Sequence, residues 1–188
     1  MAEPPLPSLP ETALSRRIDA ALAALERQVS WIWLVLLAVI VVNVVARYAF
    51  GEGRVEFEEL QWHLYAIGFL AGLATGLSAD THVRVDVLRD HFSFRTRNWI
   101  EFYGLLLLLF PFVALVLWYS VPFVWLSFTS SEVSVAAGGL PYRWAIKAAL
   151  PAAFGLIGLA GLSRLLRVSA ALFGAPTPIA PAAAEGKG

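Results

Sequence analysis

The chain has 188 residues, 59% hydrophobic and 15% charged, with a mean hydropathy of +0.69 and a formal net charge of +0. Soluble domains average about 45–50% apolar and about 25% charged residues, so these values indicate an integral membrane protein, and the neutral balance gives no footing to a nucleic-acid partner. Cysteine is absent, which excludes disulfides, Cys-ligated zinc, iron–sulfur clusters and thiol catalysis.

Residues 1–10 are proline-rich and lack the apolar core of a cleavable signal. Ser8 and Glu11 have capping-box spacing, and Pro10 suits a first helical turn. Leu14, Ile18, Leu22, Leu25 and Val29 then recur at three- and four-residue steps, while Arg16, Arg17, Asp19, Glu26 and Arg27 fall elsewhere. The spacing predicts a cytoplasmic segment, 1–28, with an amphipathic helix on the membrane surface. The alternative is the solvated start of the first membrane helix.

Residues 29–50 are almost purely apolar and predict a first span, at about 20 residues per crossing. Trp31 and Trp33 mark one interface, and Arg47, Tyr48 and Phe50 the other. Asn43, the polar side chain inside, suits an interhelical hydrogen bond. The brief link Gly51-Glu52-Gly53-Arg54-Val55-Glu56 makes the next span, 57–79, its antiparallel neighbour.

That second span carries Gly68, Gly72 and Gly76 in one row. Four-residue spacing puts them on one helical face, where another helix can approach backbone to backbone. Glu56, Glu58 and Glu59 open the helix; they either complement its dipole or meet a cation on a partner. His63 is either a haem or metal ligand or a hydrogen-bonded histidine near the interface, and no second span offers a matching histidine. Residues 80–97 hold His82, Arg84, Asp86, Arg89, Arg95 and Arg97 among valines and phenylalanines, which predicts an interfacial arm whose arginines meet phospholipid phosphates.

The third apolar run, 98–127 as a span, is longer than a bilayer needs, and Pro111 and Pro122 are sites for a kink. Glu101, at its entry end, calls for snorkelling or a nearby arginine. A polar hairpin with Ser130, Ser131, Glu132 and Ser134 leads to a fourth span, 142–166, in which Lys147 lies near enough to the start to snorkel. A flexible tail, 167–188, follows. The expected fold is thus an all-α membrane protein with four transmembrane helices, an N-terminal amphipathic helix and an interfacial arm between helices 2 and 3. Arginine and lysine are concentrated on the side of the termini and the arm, which the positive-inside rule places in the cytoplasm. No P-loop, HExxH, GxSxG or intramembrane carboxylate pair is present, so no catalytic, substrate or metal site, no enzyme activity and no cofactor are expected.

The order Glu58-Glu59-Leu60, a small-residue helix, and then Asp80-Thr81-His82-Val83-Arg84-Val85-Asp86-Val87-Leu88 resembles the small membrane subunit of TRAP transporters, the tripartite ATP-independent periplasmic family. Leu140-Pro141 and Leu150-Pro151 resemble the family's fourth span, and the resemblance covers about Ser30 to Leu166. It implies a bacterial inner-membrane subunit of a sodium-driven permease for organic acids, often carboxylates. The subunit would be a fixed support for a large elevator subunit and would help dock a periplasmic solute-binding protein. In this frame Gly68, Gly72 and Gly76 give close helix contact within the chain or to the large subunit, and the arm residues fix the cytoplasmic interface. Glu52, Arg54, Glu56 and Glu132 are the outward polar groups available for docking. The floppy tail makes the large subunit a separate polypeptide. The rival expectations are a haem-bearing anchor of an oxidoreductase and a stand-alone channel or small exporter.

Overall fold

The computed structural model describes residues 9–78 and 92–178, and the described residues are helical, with no strand among them. The helices are α1 (Ala13–Val29), α2 (Ile32–Phe50), α3 (Val55–Ser78), α4 (Phe94–Thr129) and α5 (Arg143–Phe173). Three stretches are long and apolar enough to cross a membrane: Ala13–Phe50, Phe94–Thr129 and Arg143–Phe173. At 24 residues α3 has spanning length, but Gln61, His63 and its glycines dilute its hydropathy.

Local chemistry sets the helix ends. Thr12 caps α1 through a reciprocal box with Ser15, and both side chains are fully enclosed. The cap therefore lies later than the Ser8–Glu11 spacing indicated; Ser8 is outside the described residues, and Glu11 instead pairs with Arg16 at 3.7 Å. A turn at Ser30–Trp31 separates α1 from α2. Gly51, at φ +69°, closes α2 in the left-handed conformation that glycine adopts without penalty. Ser93 caps α4, so Arg95 and Arg97 lie in its first turn, with Arg97 Nε donating to the Phe92 carbonyl at 2.9 Å.

Two elements run beyond their expected limits. Helix α4 has 36 residues, roughly 54 Å at 1.5 Å per residue. Its irregularity is a π-helical turn at Leu105–Leu109, immediately before Pro111, where Phe110 N–H bonds back to the Leu105 carbonyl. Proline clashes with the carbonyl four residues earlier, and widening the turn relieves that clash. Helix α5 continues past Leu166 to Phe173, and Val168 and Ala170 are buried within it. The tail expected from residue 167 is therefore helical at its start. The reason is packing: Arg167 reaches Asp19 of α1 at 3.6 Å.

Helix α5 is the common neighbour. It packs on α4, α3 and α1, whereas α2 packs chiefly on α3. Among the described residues the long helices therefore pack as an open row, in the order α2–α3–α5–α4, with α1 across α3 and α5. Lipid is as apolar as a leucine face, so no hydrophobic force closes such a row. Close approach within it comes from small residues. A Cβ on Gly161 would stand 2.5 Å from Leu109 Cδ2, and one on Gly158 would stand 3.3 Å from Val113 Cγ1. Across α2 and α3, a Cβ on Gly68 would stand 3.0 Å from both Ile32 and Trp33.

Gly161→Val is expected to separate α4 from α5, costing about 1–3 kcal/mol in overpacking. Its thermal midpoint in mild detergent, followed by tryptophan fluorescence, should fall below that of Gly155→Ala, where a Cβ meets nothing within 4 Å. Equal midpoints would show that Gly161 does not set the approach.

Candidate functional site: a clasped loop between the last two helices

At one end of the row lie the 51–54 connection and the loop between α4 and α5. The loop starts at Ser130, and its ends carry two non-glycine residues with positive φ, Ser131 at 49° and Tyr142 at 63°. A left-handed tyrosine is uncommon and has to be held by its surroundings. Within the loop Ser134 N–H bonds to the Leu140 carbonyl at 3.2 Å, and Gly139 N–H to the Ala136 carbonyl at 2.9 Å. Gly139 comes so close to Ser134 that a Cβ there would clash, and Gly138 has φ +79°. Both positions need glycine.

Two carboxylates clasp this loop. Glu59, in the second turn of α3, accepts a hydrogen bond from the Ser134 hydroxyl and another from Leu140 N–H at 2.6 Å. Glu132 accepts from Lys147 of α5 and lies 3.9 Å from Arg143. Lys147 Nζ also sits 4.0 Å from the centre of the Phe123 ring on α4. The loop is thus tied to α3, α4 and α5 together. Nearby, Arg47 at the end of α2 pairs with Glu58 of α3, and Arg54 pairs with Glu52 at 3.2 Å.

The other end is tied as firmly. Arg164 of α5 pairs with Glu101 of α4, the arginine partner that Glu101 called for. Ser163 donates to Asp19 of α1 at 2.6 Å, and Arg167 donates to the Leu9 carbonyl at 3.4 Å. Asp19, placed by the periodicity away from the apolar stripe, thus faces α5.

The residues singled out from sequence separate as follows. Glu132 and Glu56 are brought to the loop between α4 and α5, Glu132 as an internal anchor and Glu56 beside Gly138. Glu52 and Arg54 pair with each other and stay exposed. Gly68 meets α2, whereas a Cβ on Gly72 meets no atom within 4 Å. His82, Arg84, Asp86 and Arg89 lie outside the described residues, as do the first eight residues and those from 179 onward. His63 belongs to no potential metal-binding group among the described residues. The clasp itself was missed: Glu59 reads as a dipole carboxylate, and Lys147 as a snorkelling end. The available signal was a serine- and glycine-rich loop next to Lys147 and Arg143, with more acids than bases on the α2–α3 connection.

The Lys147 hydrogen bond holds the Glu132 carboxyl below the ordinary glutamate value of 4.5. A depressed folded pKa contributes stability above the unfolded value and loses it as pH falls through the folded one. A nitroxide on Val135Cys, an exposed loop position in a chain with no native cysteine, reads this directly. Its motion should stay slow at neutral pH and quicken below pH 4.5, while Glu132→Gln should be mobile at both. A Glu132→Gln loop as ordered as the native one would remove Glu132 from the clasp.

Comparison with curated proteins gives no match. The family profile described as tripartite ATP-independent periplasmic transporters, DctQ component, matches residues 36–171, from within α2 to near the end of α5. This is a family of transporter components and not of enzymes, and membership implies association with a large membrane subunit and a solute-binding protein. The haem-anchor and stand-alone exporter readings give way to it. The chain belongs to the DctQ component family, the small membrane subunits of TRAP transporters.

Proposed function

We propose that this subunit is the fixed scaffold of a sodium-driven permease for organic acids, and that a large subunit on a separate chain carries the substrate by an elevator movement. The observation that carries this reading is the open row of helices, cross-tied at both ends. Such a row offers broad apolar faces to a partner or to lipid. Among the described residues the ionisable pairs join elements towards the ends of helices and form no chain through the layer, as an ion or proton path requires.

In this reading α3 is a fourth span between α2 and α5, and α1 is an amphipathic helix along the cytoplasmic membrane surface. Arg16, Arg17, Arg27, Arg95, Arg97, Arg164 and Arg167 gather towards one end, against Arg47, Arg54, Arg143 and Lys147 at the other. The positive-inside rule then puts the first end, with both termini, on the cytoplasmic side of the bacterial inner membrane. The arm residues His82, Arg84, Asp86, Arg89, Arg95 and Arg97 hold that interface against phospholipid. The solute-binding protein docks on the outward end, where Glu52, Arg54, Glu56 and the clasped loop are displayed. The glycine row, Gly68, Gly72 and Gly76, gives close helix contact within the chain or to the large subunit, and Gly68 meets α2.

Reconstitution tests the division of labour. Vesicles containing this chain and the large subunit, with the binding protein outside, should accumulate an organic acid when a sodium gradient is applied; vesicles with this chain alone should not. Uptake by the chain alone would sink the proposal. Gly72→Asp, which sets a charge on the glycine face, is expected to abolish recovery of the large subunit. Normal recovery would remove Gly72 from the interface.

A further inference from the structure

A groove of about 650 Å³ runs along the outward half of the α2–α3 hairpin. At its aqueous end Arg47 and Glu58 form an ion pair with both side chains about half exposed, between Tyr48 and Trp62. Deeper in, the floor is polar. Asn43 is only 7% exposed, and Asn43 Oδ1 and Gln61 Nε2 are buried with no hydrogen-bond partner. Leu36, Ile40 and Val44 then make the groove apolar. Charge pair, polar floor and apolar channel thus follow one another along a single groove.

We propose that this groove seats one zwitterionic phospholipid. Its phosphate lies on Arg47, its ammonium on Glu58, its ester region at the depth of Gln61, and an acyl chain runs along Ile40 and Val44. Charge complementarity selects this occupant. A guanidinium has five donors and a carboxylate about four acceptor sites, so each keeps capacity beyond their mutual bond. A zwitterionic headgroup satisfies both, whereas an anionic one sets a second negative charge beside Glu58. Gln61 Nε2, which lacks a partner, is a donor of the kind that an ester carbonyl accepts. Tyr48 and Trp62 belong to the class of residues that mark headgroup depth. The proposal rests on the four-span reading, which makes α2 and α3 a transmembrane hairpin.

Native mass spectrometry of the purified full chain, with and without the large subunit, tests it using phosphatidylethanolamine and phosphatidylglycerol as probes. The expected result is one retained phosphatidylethanolamine with about tenfold preference, the scale of one charge-assisted hydrogen bond. Val44→Phe, which fills the apolar channel and leaves the ion pair intact, should release the lipid. Glu58→Gln should keep the lipid site and erase the preference. Equal retention of the two lipids by the native chain, or unchanged behaviour of both variants, overturns the proposal. So does complete loss of lipid when the large subunit binds, which would give the groove to that partner. Glu52→Cys, at an exposed position of the same connection, separates the two readings. If it is labelled from outside and no lipid preference exists, only the lipid site fails; if it is not, the hairpin orientation fails as well.

Discussion

Membrane helices gain nothing from hiding apolar surface from lipid, so their association depends on how closely backbones approach and on where polar groups find partners. In this subunit both conditions converge on α5. Its small residues, Ala153, Gly158, Ala160 and Gly161, bring it close to its neighbours, with Ala153 and Ala160 buried and α4 set against Gly158 and Gly161. The π-helical turn before Pro111 falls at the same contact, since Leu109 is the residue that Gly161 admits. Helix α5 is thus the element on which α3, α4 and α1 all pack.

Polar ties then hold the row at its two ends. Glu59 and Glu132 fix the α4–α5 loop to its neighbouring helices, and Arg164–Glu101 with Ser163–Asp19 fixes α5 to α4 and α1 at the opposite end. A frame tied at both ends resists the sliding that a moving element needs. That property supports the proposed role of a stationary scaffold. It also places the ionisable groups where they join elements, and leaves the apolar faces of the row for other chains or lipid.

Much of this was legible in the sequence because hydropathy and helical periodicity are local. The helical class, the long runs of α2, α4 and α5 and the proline-related irregularity in α4 all follow from nearby residues, whereas the need of Glu101 for a partner was legible but not that Arg164 of α5 supplies it. The family resemblance rested on a different signal, the stretch Asp80–Leu88, and the family match agrees with it. What sequence did not yield depends on which helices meet. Nothing local says that Lys147 would reach Glu132 or that Glu59 would meet a loop more than seventy residues away. Nor does periodicity distinguish a closed bundle from an open row, since a lipid-facing stripe and a core stripe have the same composition. The glycine row shows the limit most clearly. Gly68 and Gly72 are one turn apart on the same helix, yet a Cβ added at Gly68 would press on Ile32 and Trp33 while one at Gly72 would meet nothing within 4 Å.

The most direct test of the scaffold account is affinity isolation of this chain from its native membranes in mild detergent, followed by mass spectrometry of what accompanies it. The account predicts a large multispanning membrane subunit recovered in fixed ratio, with the solute-binding protein joining when its ligand is supplied. Recovery of the chain alone, or with a haem-containing dehydrogenase in place of that subunit, would contradict it.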